Sequence, residues 1–232
     1  MNKKKFLIFI VEGPSDRNYL ECLKKYVYDK YGDSIEFKII HTDLLTKYSK
    51  KDILHRVADC VREKKVEAKI LDNEEIIAVI HITDADGIYI CEESIIEDLD
   101  LNEHQTIYCR NAIKTLKKEN IVSRNSMKSS RVTRLLSRKT LMGIPYRLYY
   151  FATNMDDFFI GNQNLSYDEK EDSSYEIKRK YETCLDDYIK LFYEKKDIIG
   201  SSYIDSWNYI KQGYNSLCKC TNFYLFIDEF LS

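Results

Sequence analysis

The sequence predicts an α/β fold built on a mostly parallel β-sheet flanked by helices, and three observations support this class. Continuous apolar runs that fit buried strands alternate with segments of helical periodicity as far as Asp84. Only two prolines and seven glycines occur in 232 residues, which favours a compact body with short connections. A hydrophobic content of 44% is enough to form a sizeable core. This alternation, with right-handed crossovers, brings the carboxyl ends of the strands to one edge of the sheet.

The individual elements follow from apolar periodicity and from capping residues. Strands are predicted at residues 5–12, 35–41, 76–84 and 146–153, with a short one at 105–109. Helices are predicted after Ser15 or Asp16, from Ser49 to about Lys65, and from about Ser126 to Leu141, where Gly143 ends the helix. The remaining chain predicts two or three amphipathic helices, whose many Tyr and Phe side chains fit core packing better than a base-stacking platform.

Composition also suggests a domain division. Residues 1–160 are predicted to form the α/β domain, with a basic helical insertion at 110–142. A polar loop follows, and residues 161–232 are predicted to form a helical C-terminal subdomain packed on the first.

Charge is strongly segregated although the net charge is only −2. Residues 71–103 contain many acids and no Lys or Arg, whereas residues 110–139 are basic, with Glu119 as their single acid. Such a distribution is typical of a metal-using enzyme with a polyanionic substrate. Two solvated faces that attract each other explain it equally well.

Four cations of the basic region recur at three- and four-residue steps, namely Lys128, Arg131, Arg134 and Arg138. On a helix this spacing places them on one face, which predicts contacts with a nucleic-acid backbone that do not depend on base sequence. The alternative interpretation is a solvated helix face.

The most informative stretch is the apolar run that begins at Ile76 and ends in Asp84, Asp86 and Gly87. Side chains of an extended chain alternate, so both aspartates are expected on one side, and Gly87 then permits a turn. Glu12 closes the first strand, which places three carboxylates at one sheet edge. Oxygen ligands of this kind suit Mg²⁺ or Mn²⁺ rather than zinc.

These residues resemble the TOPRIM domain that topoisomerases, primases and OLD-family nucleases share. The resemblance covers about residues 5 to 110: Glu12-Gly13 follows an apolar strand, Asp16 is nearby, and Asp84-x-Asp86 comes two strands later. In that family the glutamate and the aspartates hold a divalent cation, and the glutamate can also handle a proton. The resemblance therefore implies that Glu12, Asp84 and Asp86 are catalytic metal ligands and that Asp16 is a further candidate ligand. Asp16 is equally suited to capping its helix.

A second resemblance concerns the end of the predicted strand at 146–153. Asn154, Asp156 and Asp157 are similar to a late motif of small stand-alone TOPRIM proteins of the RloB-like kind, although Met155 follows the asparagine here. The two aspartates also fit as caps of the next helix.

The resemblance implies a metal-dependent endonuclease, a hydrolase of phosphodiester bonds in DNA or in structured RNA such as tRNA. It further implies a toxic effector in bacterial anti-phage defence that works with a separate ATPase or regulatory protein. The oligomeric state stays open, with a dimer among the options.

Other functional classes remain as alternatives. An Asp-x-Asp motif after an apolar strand also occurs in nucleotide-sugar glycosyltransferases, where it holds Mn²⁺ and a diphosphate. A phosphatase of the haloacid dehalogenase type uses Asp-x-Asp-Gly at the first strand, followed by Thr, whereas Ile88 follows here. A non-catalytic module that binds nucleic acid or a partner protein is the third alternative. Serine-hydrolase, zincin and P-loop motifs do not occur.

Histidine, cysteine and the N-terminus add smaller constraints. His81 is interpreted as a core histidine, and His41 as a candidate for the strand-end site. Seven cysteines without a Cys-x-x-Cys pair predict reduced thiols in a cytoplasmic protein, with a zinc site as the lesser alternative. The apolar N-terminus predicts a first strand rather than a signal peptide, and no membrane span is expected.

Overall fold

The computed structural model describes residues 4–103 and 105–231 and shows an α/β protein with a mostly parallel mixed sheet flanked by helices. The strands are β1 (Lys5–Val11), β2 (Ile35–His41), β3 (Ile76–Asp84), β4 (Ile95–Glu97), β5 (Thr106–Tyr108), β6 (Ile113–Thr115), β7 (Thr140–Leu141) and β8 (Ile144–Phe151). The α-helices are α1 (Pro14–Tyr31), α2 (Ile53–Glu67), α3 (Lys118–Leu136), α4 (Met155–Ile160), α5 (Tyr167–Tyr181), α6 (Leu185–Leu191), α7 (Lys196–Ile199), α8 (Tyr203–Ile210) and α9 (Tyr224–Phe230).

The main sheet has the strand order β2-β1-β3-β8-β7. Strand β1 pairs in parallel with both β2 and β3, so that Val11 lies opposite His41 and Ile10 opposite His81. Strand β7 is antiparallel to β8. The prediction that the four long strands are neighbours in one sheet is confirmed.

The centre of this sheet is buried because β1 is apolar throughout. Leu7 to Val11 are completely inaccessible to solvent. Helix α1 buries the apolar side that the sequence predicts, with Tyr19, Leu20 and Leu23 fully inaccessible. His81 is buried and its Nδ1 lies 2.8 Å from the Tyr146 hydroxyl, which confirms its interpretation as a core histidine.

The chain forms two compact units, and both are discontinuous in sequence. Unit 1 contains residues 1–83, 131–149 and 174–189, and unit 2 contains residues 84–130, 150–173 and 190–232. The chain crosses between them within β3, α3, β8, α5 and α6, and not at residue 160.

Unit 2 contains a second sheet of order β4-β6-β5, in which β4 and β6 are parallel and β5 and β6 antiparallel. Its aromatic residues form a core: Phe158 stacks on Phe192 with a centroid distance of 5.6 Å, and Phe223 stacks on Phe226 at 4.9 Å. Phe151, Phe192 and Phe223 are almost fully buried. The core interpretation of the C-terminal aromatics is therefore confirmed.

Several predicted boundaries are wrong. Helix α3 runs from Lys118 to Leu136 instead of from about Ser126 to Leu141, because Thr140–Leu141 pairs with β8 as a short strand. Met142 and Gly143 have φ angles of +53° and +80°, so Gly143 belongs to a hairpin turn and does not end a helix. The predicted helical insertion at 110–142 also contains strand β6.

Other helix ends also differ. Helix α2 is capped by Asp52, whose Oδ1 accepts a 2.9 Å hydrogen bond from the Leu54 amide, and not by Ser49. Within the described residues after 161, the chain forms the 15-residue helix α5 and four α-helices of 4–8 residues, instead of two or three helices. None of the helices in the described ranges has the length and apolar character that a membrane crossing requires.

Candidate functional site

Glu12 follows β1 in unit 1, where the parallel pairing of β1 with β3 determines its surroundings. Its Oε1 accepts a 2.5 Å hydrogen bond from the buried hydroxyl of Thr83, the residue immediately before Asp84 in the sequence. The two strands therefore end at the same edge of the sheet, as the predicted topology requires. The hydrogen bond also orients the Glu12 carboxylate.

Asp16 lies one turn into α1 and is buried. Its Oδ2 accepts a 2.7 Å hydrogen bond from the backbone amide of Gly13, the residue that caps α1. This contact belongs to a capping box, in which a side chain of the first turn binds the cap residue. The geometry favours the capping role of Asp16 over metal ligation.

Asp84 ends β3 and belongs to unit 2. Its Oδ1 accepts a 3.2 Å hydrogen bond from the backbone amide of Met155, the first residue of α4. A carboxylate at a helix start is stabilised by the partial positive charge of the helix amides. Asp84 is therefore a half-buried carboxylate whose orientation is set by a backbone donor.

The chain leaves the extended conformation directly after Asp84. Asp86 has a φ angle of +51° and Gly87 one of +68°. The strand ends at Asp84, so the alternation that was predicted to place Asp84 and Asp86 on the same side does not extend to Asp86. A left-handed conformation costs a non-glycine residue roughly 1 kcal/mol, which other contacts must offset.

Three backbone hydrogen bonds hold this turn in unit 2. The amide of Ala85 donates to the Phe151 carbonyl at 2.7 Å, and that of Asp86 to the Thr153 carbonyl at 3.0 Å. The Gly87 amide donates to the Ser216 carbonyl at 3.1 Å. Together these bonds position the Asp86 side chain.

Glycine is required at position 87 for space as well as for its φ angle. A Cβ atom there would lie 2.7 Å from Cδ2 of Leu217 and 2.9 Å from Cδ1 of Ile113. Both neighbours are buried core side chains, so they cannot easily move away. The tight turn after Asp86 therefore depends on Gly87.

Asp86 forms an ion pair with Lys128, and together with Tyr108 and Arg124 these residues form what we call the Asp86 cluster. The Lys128 Nζ donates to Asp86 Oδ2 at 2.6 Å, with the lysine side chain fully buried and the aspartate 17% exposed. Burial by itself raises the pKa of Asp86, but the charges of Lys128 and Arg124 overcome it and hold the pKa below its ordinary value. The prediction that Lys128 projects towards a nucleic-acid backbone is wrong, because the side chain is inaccessible.

Tyr108 and Arg124 complete the cluster, and sequence reasoning missed both. The Tyr108 hydroxyl donates to Asp86 Oδ1 at 3.3 Å and accepts from Arg124 Nη1 at 2.8 Å. Arg124 Nη2 also donates to the Asp86 carbonyl at 2.9 Å. Burial, followed by the negative charge of Asp86, raises the pKa of Tyr108, so this phenol stays protonated. The four-residue spacing of Arg124 and Lys128 could have indicated that these two side chains lie on one helix face and act together.

The other three cations of the predicted basic face differ from one another. Arg131 is half-buried, and its Nη1 donates to the carbonyls of Leu45 at 2.6 Å and Lys47 at 3.0 Å. Arg134 is half exposed and lies 3.5 Å from Asp52. Arg138 is exposed but lies beyond the end of α3. The four cations therefore do not form one solvent-exposed helix face.

The late motif is partly structural. Asn154 caps α4, with its Oδ1 accepting a 2.8 Å hydrogen bond from the Asp157 amide. Buried Asp156 forms a 2.9 Å ion pair with Lys170. Burial raises the pKa of Asp157, which makes its carboxylate easier to protonate than usual. The predicted capping role belongs to Asn154 rather than to the two aspartates.

The carboxylates of Glu12, Asp84 and Asp86 suit a hard divalent cation such as Mg²⁺ only in part. Among the described residues, no group of three or more acidic, histidine or cysteine side chains is arranged to hold a metal ion. Asp86 fits poorly as a ligand, since Lys128 and Tyr108 engage both of its oxygens. Glu12 and Asp84 fit better, because ligating carboxylates are usually oriented by hydrogen bonds of this kind. Mg²⁺ often takes one or two carboxylates, with water and substrate phosphate completing its coordination.

Comparisons with known proteins give no relative of this chain: no family model matches it, and neither the curated proteins nor the solved structures contain a match. The fold defines an α/β protein with a mostly parallel mixed sheet, in which Glu12 follows β1 and Asp84 is the last residue of β3.

Proposed function

We propose that the protein is a divalent-metal-dependent nuclease that hydrolyses phosphodiester bonds in DNA or structured RNA. The observation that carries this proposal is the hydrogen bond between Glu12 and Thr83. This bond joins the end of β1 to the end of β3, one residue before Asp84. In open parallel sheets, ligands bind outside the carboxyl ends of the strands. The resemblance of the Glu12 and Asp84-x-Asp86 motifs to TOPRIM domains supports the same chemistry.

Each residue of the proposed site has a separate task. Glu12 and Asp84 would hold Mg²⁺ or Mn²⁺, and such a cation polarises a phosphate and lowers the pKa of bound water. Lys128 keeps Asp86 ionised and in place through the 2.6 Å distance between Nζ and Oδ2. Arg124 binds the Asp86 carbonyl and so holds the turn that follows β3.

A cleavage assay tests this proposal. Labelled duplex DNA, single-stranded DNA and tRNA would be incubated with the protein and Mg²⁺ or Mn²⁺, alongside Glu12→Gln and Asp84→Asn. Loss of one ligand should lower the cleavage rate about 100-fold or more, since metal stabilisation of a transition state amounts to several kcal/mol. Asp72→Asn is the matched control, because Asp72 is exposed and precedes the opposite end of β3.

Two results would contradict the proposal. One is the absence of cleavage on all substrates together with calorimetry that shows no binding of either cation. The other is equal activity of the parent protein and both site variants. Turnover of sugar nucleotides without cleavage of nucleic acid would favour the glycosyltransferase alternative.

A non-catalytic nucleic-acid-binding module is the second candidate, and the Asp86–Lys128 pair favours it. This pair neutralises one of the expected metal ligands inside the protein. Such a module would bind nucleic acid without cleavage, and Asp84→Asn would bind as well as the parent protein.

We further propose that the nuclease acts as a toxic effector in bacterial anti-phage defence, together with a separate ATPase or regulatory protein. The support is the resemblance to stand-alone TOPRIM proteins of the OLD and RloB-like kinds. Expression in a bacterial host should slow growth more for the parent protein than for Glu12→Gln at equal protein levels. Equal toxicity of the two would contradict an effector role that depends on this site.

A further inference from the structure

Unit 2 contains an open cavity of about 680 Å³ that the proposed nuclease chemistry does not use. It is lined by the end of α4 and the loop after it, by the segment from Leu191 to Ile198, and by residues 217–221. Its volume falls within the range of about 300–1,000 Å³ that is usual for small-molecule sites. The space is large enough for more than a simple inorganic anion.

Three cationic side chains line this cavity, namely Arg110, Lys195 and Lys219. All three are exposed, and within the described ranges none of their side chains forms a hydrogen bond or an ion pair. Cations gathered at one concave surface attract an anion and raise its local concentration. A multiply charged oxyanion could accept hydrogen bonds from all three of these side chains.

The acidic residues of the cavity oppose this charge only weakly. Glu194 is exposed at the cavity, and Asp157 is buried in its wall. Asp157 is only 8% exposed, so its carboxylate reaches the accessible surface of the cavity far less than the three cations do. The cationic side chains therefore dominate the accessible charge.

The cavity also has an apolar part formed by Leu191, Ile198 and Tyr209. Ile198 is 62% exposed, so its side chain is accessible to a molecule in the cavity. Burial raises the pKa of Tyr209 to about 12, so its ring remains a neutral phenol. An aromatic ring next to cations is the combination that proteins use to hold a base and its phosphate.

We propose that this cavity binds a nucleoside phosphate, with the phosphate at Arg110, Lys195 and Lys219 and the base against Tyr209, Leu191 and Ile198. The nucleoside phosphate is either a free nucleotide or one nucleotide of a single strand, since both present the same groups. This site does not depend on the proposed nuclease activity.

A physical connection links the cavity wall with the Asp86 cluster in the same unit. Gln163 and Asn164 line the cavity, and their side-chain amides donate to the Tyr108 carbonyl at 2.6 and 2.9 Å. The Tyr108 hydroxyl in turn donates to Asp86. Tyr108 therefore contacts the cavity wall through its backbone and Asp86 through its side chain.

Binding would be measured in EDTA, so that neither metal nor cleavage contributes. AMP, adenosine, inorganic phosphate and a short single-stranded RNA would be titrated by calorimetry at low salt. Trp207 is the single tryptophan and lies two residues before Tyr209 on α8, so its fluorescence provides a second signal. AMP should bind more tightly than adenosine or phosphate, because only AMP uses both parts of the cavity.

The test variant is Arg110→Gln, Lys195→Gln and Lys219→Gln combined. Removal of three exposed positive charges from the phosphate position should weaken AMP binding about tenfold or more. The matched control combines Lys139→Gln, Arg179→Gln and Lys211→Gln, which removes the same charge at exposed positions outside the cavity. Circular dichroism and thermal melting would verify that both variants fold.

Three results would overturn the proposal: no binding of AMP or RNA, equal weakening by the two triple variants, or phosphate binding as tight as AMP binding. If RNA displaces AMP and binds more tightly, the natural ligand of the cavity is one nucleotide of a single strand. AMP binding without RNA binding would identify a free nucleotide. Because binding is measured in EDTA, these results do not depend on whether the protein is a nuclease.

Discussion

At the scale of single residues, the ion pair between Lys128 and Asp86 joins a fully buried ammonium to a carboxylate within unit 2. A fully buried ammonium needs a charged partner, because its transfer out of water is otherwise very costly. Asp86 provides that partner from a left-handed backbone position with a φ angle of +51°, directly before the left-handed Gly87. The pair therefore couples the turn after β3 to helix α3.

We expect Lys128→Met to lower the free energy of unfolding by about 3 kcal/mol, because it leaves Asp86 without its closest cation. Urea denaturation at pH 7 would measure this decrease. The double variant Asp86→Asn with Lys128→Met should recover part of it, since no charge then remains uncompensated. Lys139→Met, at an exposed position, is the control. A decrease below about 0.5 kcal/mol in Lys128→Met would contradict this role of the pair.

At the scale of elements, the two parts of α3 make different contacts. Its first part, up to residue 130, belongs to unit 2 and supplies Arg124 and Lys128 to the turn after β3. Its last part belongs to unit 1, where Arg131 binds the carbonyls of a loop after β2. Regularly spaced cations in a sequence can bind phosphates, pair with a buried carboxylate or donate to backbone carbonyls, and the spacing alone does not distinguish these roles.

Nucleic-acid binding should therefore depend on Arg134 and Arg138 and not on Arg131. We expect Arg134→Gln with Arg138→Gln to flatten the logarithmic salt dependence of binding by roughly 0.7–0.9 for each phosphate that the two arginines neutralise in the parent protein. Arg131→Gln should leave this slope unchanged but reduce stability, because two backbone carbonyls then have no donor from this side chain. Fluorescence anisotropy across a salt series would measure the slopes, with Arg179→Gln as an exposed control. An unchanged slope in the double variant would assign both arginines to a solvated surface.

At the scale of the whole molecule, carboxylates with opposite pKa shifts make stability depend on pH in opposite directions. The pKa of Asp86 is lowered in the folded protein, so its contribution exists above the unfolded pKa of about 4. It is lost as the pH falls through the lower folded value. The pKa of Asp157 is raised by burial, so its cost appears as the pH rises above about 4.

We therefore expect Asp86→Asn to be destabilising at pH 7, with the difference from the parent protein shrinking as the pH falls below about 4. Denaturant titrations at about pH 7, 5, 4 and 3 would show the trend. Asp157→Asn serves as the comparison of opposite sign: neutral or stabilising at pH 7, with its advantage fading in acid. Parallel pH profiles of the two variants would contradict the assigned shifts.

The amino-acid sequence alone was sufficient to place β1, β2 and β3, the buried side of α1 and the core role of His81. Each of these depends on local apolar periodicity, since a strand or helix with one continuous apolar surface has few other ways to bury it. The position of Glu12 and Asp84 at strand ends follows from the same patterns. Met142-Gly143 and the short strand β7 were missed, because the helical spacing before them looked uninterrupted.

Only the tertiary structure decided what the candidate site residues do. Lys128 is buried because Asp86, 42 positions earlier in the chain, supplies a charge that no local pattern reveals. Asp86 lies in a turn and not in the strand because the carbonyls of Phe151, Thr153 and Ser216 accept hydrogen bonds from the amides of residues 85–87. The cavity with its three cations likewise combines segments far apart in sequence. Periodicity reports which face of an element is apolar, whereas the partner of a buried charge depends on contacts between distant parts of the chain.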